Sequence, residues 1–116
     1  MPSYRGRCHC GACDFELASE PIVSGVRCNC SICVRRGTVM SAVYYPPEAL
    51  VLDGVASLTC YQWGDHDMRS YFCPTCGIYL FGEATAKPGH RRINLGCVEG
   101  VDPLALSITL IDGRSF

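Results

Sequence analysis

Cys73-Pro74-Thr75-Cys76-Gly77 is the stretch on which the reading of this chain turns. Two cysteines two residues apart at a tight turn can aim both sulfurs at one point, and the glycine behind them permits the positive φ that such turns use. The C-P-x-C-G knuckle is a strong metal signal. A tetrahedral zinc ion takes sulfur at about 2.3 Å from several directions, so a second pair has to come from elsewhere in the chain. Cys8-His9-Cys10-Gly11 offers the matching turn. Zinc binding contributes on the order of 10–16 kcal/mol in small modules, whereas the net stability of a domain is about 5–15 kcal/mol. The expectation is a structural zinc on Cys8, Cys10, Cys73 and Cys76, and a chain that folds poorly without it.

With Cys13, which extends the first motif to C-x-C-x-x-C, eight of the ten cysteines fall in three short motifs, and the middle one is incomplete. Cys28-Asn29-Cys30-Ser31-Ile32-Cys33 offers three thiolates and no evident fourth ligand. A closed structural site has four protein ligands; a catalytic site commonly keeps one position open. An open position would admit water, a substrate thiol or a carbonyl oxygen. A thiol on zinc loses its proton, and a carbonyl on zinc is polarised, which together suit the addition of a thiol to an aldehyde. Spacing leaves the alternative equally open, a second structural site completed by Cys13, Cys60, Cys97 or a histidine. Cys13 falls in phase with Phe15 and Leu17, and Cys97 with Ile93 and Leu95, so both read as small core hydrophobes. Cys60 has no clear phase and is assigned to the core by default. Arg35 and Arg36 could offset the charge of three thiolates, or grip the carboxylates of an anionic substrate. The ordinary reading of each is a solvated surface arginine.

The rest of the chain supplies short strands. Cys13, Phe15 and Leu17 alternate with Asp14 and Glu16, and residues 21–27 and 38–45 are further strand candidates. Pro46-Pro47-Glu48-Ala49-Leu50 reads as one helical turn, and Asp53-Gly54 as a hairpin turn with strands on both sides. Strands are expected at 68–72, 78–83, around Ile93, Leu95 and Cys97, and at 107–111, with one short helix at 32–36. The 116 residues therefore read as one all-β or mostly β domain spanning 1–116, with no linker and no long repeat.

Ten Lys and Arg stand against eleven Asp and Glu. That balance argues against binding to nucleic acid. No apolar run reaches the roughly 20 residues that cross a bilayer, and residues 1–7 hold no signal-peptide core. The expectation is a soluble cytoplasmic protein, where ten cysteines point to metal or catalysis rather than disulfides. Oligomeric state is not legible.

Taken together, Gly6-Arg7-Cys8-His9-Cys10-Gly11-Ala12, the middle cysteine motif, Pro47-Glu48-Ala49-Leu50 and Tyr71-Phe72-Cys73-Pro74-Thr75-Cys76-Gly77 resemble the glutathione-dependent formaldehyde-activating enzyme family, which includes centromere protein V. The resemblance runs from about Gly6 to Cys97. It implies a β-tent fold, with zinc pinning antiparallel sheets. It implies two zinc ions, a structural one on Cys8, Cys10, Cys73 and Cys76 and a catalytic one on Cys28, Cys30 and Cys33. The implied activity is the condensation of formaldehyde with glutathione, a carbon–sulfur lyase reaction. Three positions depart from the family pattern: Cys13 replaces an aliphatic residue, Asn29 stands where His is common, and Val34 displaces the basic residue after the third cysteine.

Two other functions compete with the enzyme: a zinc-stabilised module that binds a protein partner, and a redox or metal-buffering protein using exposed thiolates. For the proton acceptor that an enzyme needs, His66 and Glu83 are the candidates, though each reads more simply as a surface residue. His9 lies within a zinc turn without an argument that it ligates, His90 reads as a surface loop residue, and Trp63 as hairpin packing or a pocket wall.

Overall fold

The computed structural model describes residues 2–53, 58–62 and 67–115. Among them the chain runs through β1 (Ser3–Arg7), β2 (Asp14–Ala18) and β3 (Ser24–Cys28) into one short helix, α1 (Ser31–Arg36). β4 (Met40–Ser41) and a 3-10 turn at Pro47–Ala49 lead to β5 (Leu50–Asp53) and β6 (Thr59–Tyr61). β7 (Met68–Phe72), β8 (Tyr79–Ala84) and β9 (Arg91–Ile93) follow, and β10 (Ser107–Ile111) is the last strand. The protein is mostly β, as the alternation implies. Asp53 ends β5, but Gly54 and Val55 of the expected turn lie outside the described residues, as do Trp63, Gly64, Asp65 and His66.

The strands form three sheets, ordered β1-β2-β5, β10-β3-β4 and β6-β7-β8-β9. All pairs are antiparallel except β3 with β10, which run parallel with Cys28 beside Ile111. β2 behaves as its alternation demands: Phe15 and Leu17 are buried while Glu16 faces out. They join Leu50, Leu80, Phe81, Ile93 and Leu95 in one core, with Cys13 and Cys97 packed among them. Residues 91–99 fasten the three sheets together. Arg91 exchanges backbone bonds with Tyr45, Leu95 N–H donates to the Val39 carbonyl at 2.9 Å, and Glu99 N–H donates to the Arg5 carbonyl at 2.8 Å.

Four local readings differ from the structure. β1 carries no apolar alternation because its one buried position is Gly6; the Phe15 ring of the neighbouring strand fills the space a side chain would take. In 38–45 only Met40 and Ser41 join a strand. The Ser41 hydroxyl donates to the Val43 carbonyl at 2.7 Å and accepts from Ile93 N–H at 2.9 Å, so the side chain competes with the ladder there. Leu95 and Cys97 are buried as expected but on a 3-10 turn, since the Asn94 side chain caps it by accepting from Gly96 N–H at 3.1 Å. Cys60 is exposed rather than core, because β6 is an edge strand whose three residues all face solvent.

Gly6 has no room for a methyl group against the Phe15 ring. Gly6→Ala is expected to lower stability by about 1–3 kcal/mol, the usual cost of overpacking, measured by urea unfolding of the metal-loaded protein.

Candidate metal centres and adjoining cavity

Two hairpin tips carry the first cluster. The β1–β2 loop closes with Cys8 N–H donating to the Cys13 carbonyl at 3.0 Å, and Gly11 at its apex has φ 83°. The β7–β8 loop closes with Gly77 N–H on the Cys73 carbonyl at 2.8 Å, and Gly77 has φ 78°. These tips bring the sulfurs of Cys8, Cys10, Cys73 and Cys76 within 4.8 Å of one another. Cys10 Sγ lies 3.6 Å from Cys8 Sγ and 3.7 Å from Cys73 Sγ. A zinc tetrahedron with arms of about 2.3 Å has edges of about 3.8 Å, so the donor set fits that ion. Backbone N–H groups of the turns also favour thiolate. Those of Cys10 and Ile78 lower Cys76 to about 6, and those of Cys76 and Thr75 lower Cys73. Although Ala12 N–H aids its thiolate, Cys10 is pushed up to about 11 by desolvation and by the sulfurs it shares hydrogen bonds with.

The second cluster sits where β3 runs into α1. Cys28 ends the strand, Cys30 caps the helix, and Cys33 lies in its first turn. Their three sulfurs also lie within 4.8 Å of one another, all half-buried. Among the described residues no fourth His, Cys, Asp or Glu joins them. Cys13 and Cys97 are in the core and Cys60 is on the exposed edge, so none of the three completes this group. Burial pushes Cys33 up to about 12, helped by its hydrogen bond to Cys30 and the negative charge of Cys28 and Cys30. Three thiolates side by side therefore call for a cation, and the cluster could hold one.

The sulfurs of the second cluster open on a cavity of about 380 Å³. Arg36, Arg92, Tyr79 and Asp67 share its lining with Cys28, Cys30 and Cys33. Arg36 stacks its guanidinium 3.9 Å over the Tyr79 ring, and Arg92 lies 4.4 Å over Tyr44. Arg92 donates from Nη2 to the Ala42 carbonyl at 3.3 Å, while its buried Nε has no partner among the described residues. Burial pushes the Tyr79 hydroxyl up to about 12.

The remaining candidates stand elsewhere. Arg35 turns back to the Ser31 carbonyl at 2.8 Å. Glu83 is buried between Arg91 at 3.2 Å and Arg69 at 3.5 Å, a structural ion pair that does not line the cavity. His9 borders a separate hollow beside the first cluster, and His90 is half-buried away from both clusters. His66 and Trp63 lie outside the described residues. Sequence reasoning missed Arg92, Tyr79 and Asp67. Arg92 is out of phase with buried Ile93, which marks it as facing away from the core; only the pairing of β9 with β8, where Arg92 sits opposite Gly82, makes that face a cavity wall.

Protons compete with metal for sulfur. A lowered pKa keeps a thiolate to lower pH, and a raised one gives it up sooner. Each cluster holds both kinds, Cys73 and Cys76 lowered with Cys10 raised in the first, Cys30 lowered with Cys33 raised in the second, so the number of sulfurs, four against three, sets the order. On stepwise acidification the second cluster is expected to release its metal at higher pH than the first, read with a zinc-sensitive indicator in wild type and in Cys33→Ser.

The sequence model described as glutathione-dependent formaldehyde-activating enzyme matches residues 3–109. That span includes both cysteine clusters, Arg36 and Arg92. A crystal structure of a Rhodobacter sphaeroides protein is similar to this chain, with a TM-score of 0.77 and 33% sequence identity over 90% of this chain and 99% of that one. On the strength of the cysteine clusters, the fold and these matches, the chain belongs to the glutathione-dependent formaldehyde-activating enzyme family.

Proposed function

We propose that the protein is a zinc enzyme of the carbon–sulfur lyase type that adds a glutathione-type thiol to a small aldehyde such as formaldehyde. In this reading each chain binds two zinc ions: a structural one on Cys8, Cys10, Cys73 and Cys76, and an accessible one on Cys28, Cys30 and Cys33. The observation that carries the reading is the cavity of about 380 Å³ into which the three-sulfur cluster opens, flanked by two guanidiniums. A purely architectural site has no need of such a cavity, which is why the enzyme reading is preferred to the binding module. No helix among the described residues is long and apolar enough to cross a membrane. Ten cysteines with no disulfide among them suit a reducing cytoplasm.

The reaction adds S–H across C=O. A C–S bond forms, the carbonyl π bond breaks, and the thiol proton ends on oxygen. A zinc ion bound by the second cluster would favour the substrate thiolate and polarise the carbonyl. Arg36 and Arg92 would hold the carboxylates of the thiol substrate, with their planes already fixed by stacking on Tyr79 and Tyr44. Arg92 Nε is a buried donor that lacks a partner among the described residues, and leaving such a donor unpaired is costly. Tyr79, its hydroxyl held up to about 12 by burial, serves as a neutral hydrogen-bonding group rather than a base. Asp67 is the one carboxylate among the described lining residues and is assigned as the proton acceptor.

Formaldehyde and glutathione also combine unaided, so the test reads acceleration over the uncatalysed rate by exchange spectroscopy. Wild type is expected to accelerate adduct formation. Cys33→Ser should abolish the acceleration with the fold intact, and Cys73→Ser should unfold the chain. If Cys33→Ser unfolds it as badly as Cys73→Ser, the second cluster is structural and the proposal fails. Arg92→Ala is expected to raise KM for glutathione about tenfold, the scale of one charge-assisted hydrogen bond, with little change for 2-mercaptoethanol. An equal effect on both thiols would remove Arg92 from substrate recognition.

A further inference from the structure

We propose that residues 112–115 form a latch on the second cysteine cluster, with Asp112 and Arg114 acting through Asn29 to set how tightly that cluster retains its metal. The inference rests on Cys28, Cys30 and Cys33 being a metal centre. The tail itself, residues 112–115, lies beyond the 3–109 span matched by the family, although Asn29 and the cluster it acts on lie within it.

The latch follows from the parallel pairing of β3 with β10. Because Ile111 lies beside Cys28, the chain leaving β10 crosses directly over the 28–30 loop. There it occupies all four polar groups of Asn29. Asn29 N–H donates to the Ile111 carbonyl at 3.1 Å. Its Nδ2 donates to Asp112 Oδ1 at 2.9 Å. Its Oδ1 accepts from Arg114 N–H at 3.0 Å, and its carbonyl accepts from Arg114 Nε at 2.7 Å. Ser115 Oγ steadies Asp112 by donating to Oδ2 at 2.6 Å. Asn29 lies between two of the three sulfur ligands, so immobilising it immobilises both.

Gly113 completes the arrangement. It packs so closely on Cys28 Sγ that a Cβ there would collide with the sulfur, and would lie 3.1 Å from Cys30 Cβ. Gly113 also lines the cavity. The tail thus walls one side of the cluster and leaves the approach past Arg36 and Arg92 open. A three-sulfur site loses its ion when its loop opens locally, and outer contacts of this kind govern such opening.

The test follows transfer of zinc from the intact, fully loaded protein to the chromophoric chelator 4-(2-pyridylazo)resorcinol. Wild type should release metal in two phases, the faster one missing from Cys33→Ser. Asp112→Ala, Arg114→Ala and Asn29→Ala should each speed the fast phase threefold or more and leave the slow phase alone. Because Asp112 bonds only the Asn29 side chain, Asp112→Ala should add little to Asn29→Ala, whereas Arg114→Ala, which removes a bond to the carbonyl of residue 29, should add to it. Asp112→Asn retains the acceptor oxygen and should restore near wild-type release. Gly113→Ala should leave about one zinc per chain, in the slow phase only. Unchanged fast release in the three alanine variants, or equal acceleration of both phases, overturns the latch. Wild type that binds a single ion overturns the two-centre reading itself, and the latch with it.

Discussion

Sulfurs from two hairpin tips, 63 residues apart in the chain at Cys10 and Cys73, lie 3.7 Å from each other in a cluster of four. Thiolates at that spacing repel, and thiols at that spacing gain little, so the arrangement is one that could hold a cation. The rest of the molecule is organised by that constraint. It fixes the β1–β2 hairpin against the β7–β8 hairpin, and between them lie Phe15, Leu17, Leu80 and Phe81 of the shared core. A chain of this length has a poor ratio of core to surface, and a metal ion held by these four sulfurs would compensate for it.

The second cluster obeys the same electrostatics with one ligand fewer. Its sulfurs come from a strand end, a helix cap and the first helical turn, all within one short segment, so it ties no distant parts together. It borders instead a cavity with two stacked guanidiniums on one side, and Gly113 presses against Cys28 on the other. The contrast between a cross-linking cluster and a cavity-lining cluster is the physical basis for assigning them different roles.

The cysteine motifs were the most legible part of the sequence, because a ligand pair at a tight turn is a local property. The structure brings Cys8 and Cys10 beside Cys73 and Cys76, and the β2 alternation, a local pattern too, is found. The core placement of Cys13 and Cys97 follows from phase and is also found. Cys60 was misread because burial depends on whether a strand lies at a sheet edge, which its neighbours do not reveal. β1 was invisible because its inward position is a glycine filled by a ring from another strand. Of the two arginines after the triad, only Arg36 reaches the cavity, and its partner Arg92 comes from a strand 56 positions later. Such convergence is set by sheet pairing and leaves no local trace. Nor does any motif announce the tail over Asn29, which depends on a parallel pair of strands.

The most direct test of two sulfur-bound ions, one saturated and one accessible, is X-ray absorption at the zinc edge with and without glutathione. Seven sulfurs shared by two ions should give a mean of about three and a half sulfur neighbours per zinc at about 2.3 Å, rising to about four when the thiol is added. A mean of four before addition and an unchanged spectrum after it, or well-folded protein with no transition metal at all, would contradict the account.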